Sequence, residues 1–128
     1  MKKILMIILV FPLWAKADSV CDNITVSDQV YTCSKISLEE SDASLNNEYK
    51  KLLSKVSAEY NSHEELKNEY IKKIKLSQRA WLNFRDKNCE VFSYQIEAGT
   101  QAYETSMNSC KDKMTQERTK DLVSIQNQ

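Results

Sequence analysis

The chain has 128 residues, 18 basic and 18 acidic side chains, one glycine, one proline and four cysteines. A single glycine rules out a P-loop, a G-x-G-x-x-G dinucleotide fingerprint and a G-x-S-x-G nucleophile elbow, because each needs further glycines for tight turns or close backbone approach. The same scarcity of Gly and Pro argues against the many tight turns of a β-sandwich or barrel and leaves a small, all-α domain.

At the start of the chain, Lys2 and Lys3 precede an apolar run from Ile4 to Trp14, and Ala15-Lys16-Ala17 follows. This is the pattern of a secretory signal peptide over residues 1–17, cleaved after Ala17. The run is shorter than the roughly 20 residues that span a bilayer, so no membrane anchor is expected in the mature form. Cys21 follows Asp18-Ser19-Val20, which is not a lipid-attachment pattern. The expected mature domain, 18–128, has 111 residues with 15 basic against 18 acidic side chains, a formal charge of −3. Without a basic block, nucleic acid is not an expected partner. A chain this short buries a modest core and gains from covalent staples.

Along the mature chain, Ser27 is placed to cap a first helix with Asp28 in its first turn. No Gly or Pro interrupts the sequence from there to Glu59, and Leu45, Tyr49, Leu52, Leu53, Val56 and Tyr60 recur at helical spacing. The Ser41-Asp42-Ala43-Ser44 stretch is either part of that helix or a break with a second cap. Ser62 and Glu65 have the S-x-x-E spacing of a capping box. They open a second helix whose stripe is Leu66, Tyr70, Ile74, Trp81, Leu82, Cys89 and Phe92, reaching about Ile96. Gly99 suits a left-handed C-cap. A third helix is expected from about Gln101 to Lys111, and Thr115-Gln116-Glu117-Arg118 can start a last segment. The architecture is therefore a bundle of three or four helices.

An even number of cysteines in a short exported chain favours disulfides. Cys89 lies ten residues before Gly99 and Cys110 eleven after it, so an antiparallel hairpin turning at Gly99 brings those two level. That leaves Cys21 with Cys33. No C-x-x-C occurs and His63 is the only histidine, so no metal site is expected. Two disulfides should staple the bundle.

Catalytic constellations are poor. His63 sits in a predicted turn beside a capping serine. The pairs Glu39-Glu40 and Glu64-Glu65 would diverge by about 100° on a helix, whereas glycosidase carboxylates must flank one bond. The reading is a binding protein rather than an enzyme, with no catalytic residues and no cofactor. The richest stretch, Ser77 to Glu90, holds Gln78, Arg79, Trp81, Arg85 and Asp86. These residues fit two roles. Trp81 and Arg85 can edge the core, the guanidinium finding a carboxylate, or the five can form a partner-binding surface, since Trp and Arg are frequent anchors.

The segment Ser77-Gln78-Arg79-Ala80-Trp81-Leu82-Asn83-Phe84-Arg85-Asp86-Lys87-Asn88-Cys89 resembles the A-Q-x-A-W-x-x-F-R-D-x-x-C helix of the LprI-like lysozyme-inhibitor family. Asp42, Leu45, Asn46 and Tyr49 are similar to that family's D-x-x-L-N-x-x-Y, and Cys110 is followed by Thr115-Gln116-Glu117-Arg118-Thr119 near the end. The likeness covers roughly residues 21 to 123. It implies an exported bacterial, all-helical domain that inhibits lysozyme. On this basis the expectation is a periplasmic or secreted protein whose partner is a lysozyme-type muramidase. Arg79, Arg85 or the Lys72-Lys73-Lys75 cluster would supply cations to a carboxylate-lined cleft. The rival expectation is a non-inhibitory envelope adaptor or immunity-type protein that binds another secreted factor through the same surface.

Overall fold

Thirty-three residues free of glycine and proline wind into one helix, α1 (Ser27–Glu59). It is followed by α2 (Glu64–Phe92) and α3 (Gln101–Gln126), and no strand occurs among the described residues. The computed structural model describes residues 21–128. The expected signal segment and its cleavage point after Ala17 lie outside that range.

Helix starts differ in detail from the capping signals in the sequence. Ser27 is already helical and Val26 holds the cap position. The work falls to Gln29, whose Oε1 accepts from the backbone N–H of Thr25 at 2.7 Å and of Val26 at 3.1 Å. The Ser62/Glu65 box does not form. Ser62 belongs to a turn closed by the His63 N–H to the Tyr60 carbonyl at 3.0 Å, and His63 occupies the cap of α2 without a side-chain bond. Glu64 and Glu65 still complement the positive end of the helix dipole.

The helix breaks allowed for by the sequence are absent. Ser41 is buried in mid-α1 and donates to Asp112 of α3, so a residue that weakens an isolated helix serves as an interhelical contact. Thr115, the expected start of a fourth segment, is fully buried inside an unbroken α3. The bundle therefore has three helices. Helix α2 stops at Phe92, short of the expected Ile96, and Gly99 does not cap it. Gly99 has φ +81° within the Glu97–Thr100 turn, closed by Thr100 N–H to the Glu97 carbonyl at 3.3 Å. A positive φ at the third residue of such a turn calls for glycine. Thr100 then caps α3 by accepting from the Tyr103 N–H at 3.2 Å.

Contacts fix the topology. Gln101 reaches Asp28, Asn108 reaches Ser34 and Gln126 reaches Glu48, so α1 and α3 run parallel. Arg85 meets Thr115 and Arg118 meets Gln78, so α2 runs opposite to both. Leu45, Leu52, Val56, Ile74 and Leu122 form the buried core, with Tyr60 and Tyr70 edge to face at 5.8 Å beside it. Both expected disulfides are present. Cys21–Cys33 and Cys89–Cys110 have Cα separations of 5.6 and 5.7 Å, within the ordinary range.

The stripe on α2 is corrected in part. Leu66, Leu82 and Phe92 are exposed, and the buried line is Ile74, Gln78, Arg85 and Cys89. Two polar residues take core positions there because their partners arrive from the other helices. No helix among the described residues is long and apolar enough to cross a membrane.

Candidate functional site

Near the middle of the bundle, Arg85 of α2 is only 7% exposed. Its Nη1 donates to Asp42 Oδ1 of α1 at 2.8 Å and to the Thr115 hydroxyl of α3 at 3.0 Å. Its Nε donates to Asp86 Oδ1 at 3.0 Å, and Lys111 approaches the same oxygen at 3.7 Å. One guanidinium thus joins all three helices: Nη1 bridges α1 and α3, while Nε holds Asp86 beside it on α2. Trp81, partly buried, lies between two cations: the guanidinium carbons of Arg85 and Arg118 stand 5.4 and 5.9 Å from its ring centroid. Arg118 in turn donates to Gln78 Oε1 and to the Ser77 hydroxyl, both at 3.1 Å.

One turn along α3, Asp112 accepts from Ser37 at 2.9 Å, from Gln116 at 3.0 Å and from Ser41. Burial pushes its carboxyl upward, but the three hydrogen bonds outweigh that and hold it below the usual aspartate range. Among the described residues, every buried side-chain nitrogen and oxygen has a hydrogen-bond partner.

Beside this node a cleft of about 490 Å³ opens between α1 and α2. Asp42, Leu45, Asn46 and Tyr49, four positions along one face of α1, form one wall, and Lys75 and Arg79 stand on the other. Both cations are exposed and make no ion pair among the described residues. With Lys72, also unpaired, they are spaced three and four residues apart, which places them on one face of α2. Lys73 points elsewhere and pairs with Glu69 at 2.9 Å, an exposed contact that raises the lysine pKa and lowers the glutamate's.

The five residues singled out on α2 therefore separate. Gln78 and Arg85 are buried and serve the node, Trp81 is half covered by two guanidinium groups, Asp86 is partly exposed beside Arg85, and Arg79 faces solvent on the cleft. Asp42, Thr115 and Arg118 complete the node and were not singled out from sequence. Their signal was available, since each belongs to one of the two other motifs.

A disulfide-stapled bundle of three helices, joined at mid-height by a buried polar cluster, belongs to the class of small all-helical domains. Within that class, the chain belongs to the LprI lysozyme-inhibitor family, whose sequence profile, described as lysozyme inhibitor LprI, matches residues 21–122. The crystal structure of a DUF1311 family protein from Pseudomonas putida KT2440 is similar in fold, with a TM-score of 0.72 at 23% identity, over 83% of this chain and 99% of that chain. Among curated proteins, none matches. The three motifs that carried the resemblance meet at one place, around Arg85.

Proposed function

We propose that this protein is an exported inhibitor of lysozyme-type muramidases, released by cleavage after Ala17, that blocks the enzyme's groove with the α2 face beside the α1–α2 cleft. The supporting observation is the family match over residues 21–122. The geometry adds a means. Lysozyme works with a pair of carboxylates flanking the scissile bond, and the row Lys72, Lys75 and Arg79 offers unpaired cations on one rigid helix. The hydrogen bonds of Arg85 to α1 and α3 fix that helix, so little order is lost on binding. Arg85 takes no direct part in this scheme: it is buried, and its Nη1 and Nε are bonded to Asp42, Thr115 and Asp86. It positions α2 and holds Trp81.

The test is turnover of cell walls by several lysozyme types, with the purified, oxidised protein in stoichiometric excess. Inhibition is expected, weakening as salt rises, because exposed charges act mainly through steering and screening. Reversing Lys72, Lys75 and Arg79 together should abolish inhibition while leaving the helical circular dichroism unchanged. Undiminished turnover of every lysozyme tested overturns the proposal.

A further inference from the structure

Between α2 and α3 lies a second groove, of about 480 Å³, that shares no lining residue with the α1–α2 cleft. Phe84 and Phe92 of α2 flank Asn88 along one wall, and Met114 and the Cys110 half of the disulfide lie on the α3 side. These are not incidental surface residues. Phe84 is 58% exposed, Phe92 71% and the neighbouring Val91 75%. A run of large apolar side chains left in water along one helix marks an interaction surface.

The row has an internal symmetry that suits a second copy of the chain. Phe84, Asn88 and Phe92 are four residues apart in each direction, an aromatic at either end and an amide at the centre. Residues at this spacing are neighbours in one row along the helix surface. A two-fold axis crossing α2 at Asn88 sets Phe84 of one copy against Phe92 of the other, twice over. It also faces Asn88 with itself; Nδ2 donates to Met114 Sδ of α3 at 3.4 Å, and the amide oxygen and the second N–H remain for the facing copy. That reciprocity, residue i on j and j on i, is what an isologous interface requires.

Charge agrees with self-pairing. The groove is rimmed by one cation, Lys113, and one anion, Glu117, neither of them ion-paired among the described residues. Nearby Lys87 is neutralised by Glu90 at 2.9 Å. A balanced rim does not repel its own copy and offers little to a strongly charged partner. We infer that the chain forms an antiparallel dimer through this groove, α2 crossing α2 at Asn88. The row Lys72, Lys75 and Arg79 lies outside the groove, so the inference stands apart from the inhibitor proposal.

Sedimentation equilibrium of the oxidised protein from about 1 to 100 µM is the first measurement, a range in which a modest interface is populated. A mass of two chains is expected. Phe84→Glu and Phe92→Lys should each weaken the dimer at least about 100-fold, because each change falls twice in the interface. Combining both substitutions in one chain should restore the dimer, since the two-fold axis sets the new acid opposite the new base. Both sites are exposed, and unchanged circular dichroism confirms that the variants fold. A monomer throughout the range, a dimer indifferent to either single change, or a double variant that stays monomeric each overturns the inference. So does a monomer whose Phe92→Lys variant loses muramidase inhibition, which would make the groove a partner site instead.

Discussion

The two ends of the bundle are held by different chemistry. At the end where α1 finishes and α2 begins, hydrocarbon does the work: Leu52, Val56 and Leu122 are almost wholly buried, and Tyr60 and Tyr70 close over them. At the other end the buried apolar residues thin out to Met107 and Cys89. The contacts there are polar: the hydroxyls of Ser93 and Ser106 at 2.8 Å, the Asn108 amide donating to the Ser34 hydroxyl at 3.3 Å, the Asp112 cluster, and both disulfides. Covalent staples sit where apolar burial is least able to offset chain entropy, which is the general remedy of small domains applied to half of one. Arg85 stands where the two halves meet.

This contrast breaks most visibly on reduction. Opening both disulfides should cost about 3 kcal/mol for each closed loop. Native-state hydrogen exchange should then show amides near residues 30–41 and 89–108 losing protection well before those near 50–58 and 118–124. Uniform loss along the helices would show that the two ends are one cooperative unit after all. A smaller effect is expected from uncoupling the halves. Arg85→Ala should cost about 2 to 3 kcal/mol in urea denaturation, toward the low end for a broken buried pair because Asp42 retains contact with water. Arg85→Met should recover part of that loss by refilling the space, and equal damage from both would favour charge over packing as its role.

The smallest effect is acidic. Folding holds the Asp112 pKa down, so its contribution is complete above the ordinary aspartate pKa and disappears as the pH falls through the lower folded value. Asp112→Asn should remove that part of the acid slope. At neutral pH it should cost about 1 kcal/mol or less, given the solvent around the group. Thermal melts of both proteins across the acid range check this, and parallel curves would place the acid sensitivity elsewhere.

The apolar end was readable in advance, since Leu45, Leu52 and Val56 repeat at helical spacing. The polar end was harder to read. Ser41 allowed either a continuous helix or a break, and Thr115 the start of a new one, because a hydroxyl competes for backbone in an isolated helix. Burial against a parallel neighbour reverses that preference, and nothing local in the sequence records the neighbour. The disulfides were legible because Gly99 and the spacing of Cys89 and Cys110 define a hairpin, even though Gly99 turned out to serve the turn and not the end of α2. At the candidate site, the motif around Trp81 and Arg85 was visible. Its place at the core edge, with the guanidinium finding a carboxylate, was one of two readings; which carboxylate was not visible, since the partners Asp42 and Thr115 lie 43 and 30 residues away. Phe84 and Phe92 show the converse: an aromatic on a helix predicts a contact, but a 3.6-residue period cannot say whether that contact is within the chain.

Both disulfides join cysteines that are neighbours in the order of the sequence, Cys21 with Cys33 and Cys89 with Cys110. Of the three pairings four cysteines allow, this is the one reached by joining each unpaired thiol to the next as the chain is delivered from its amino end. An oxidant with no proofreading step arrives at the native set, and the slow exchange that untangles crossed or nested bridges has nothing to correct.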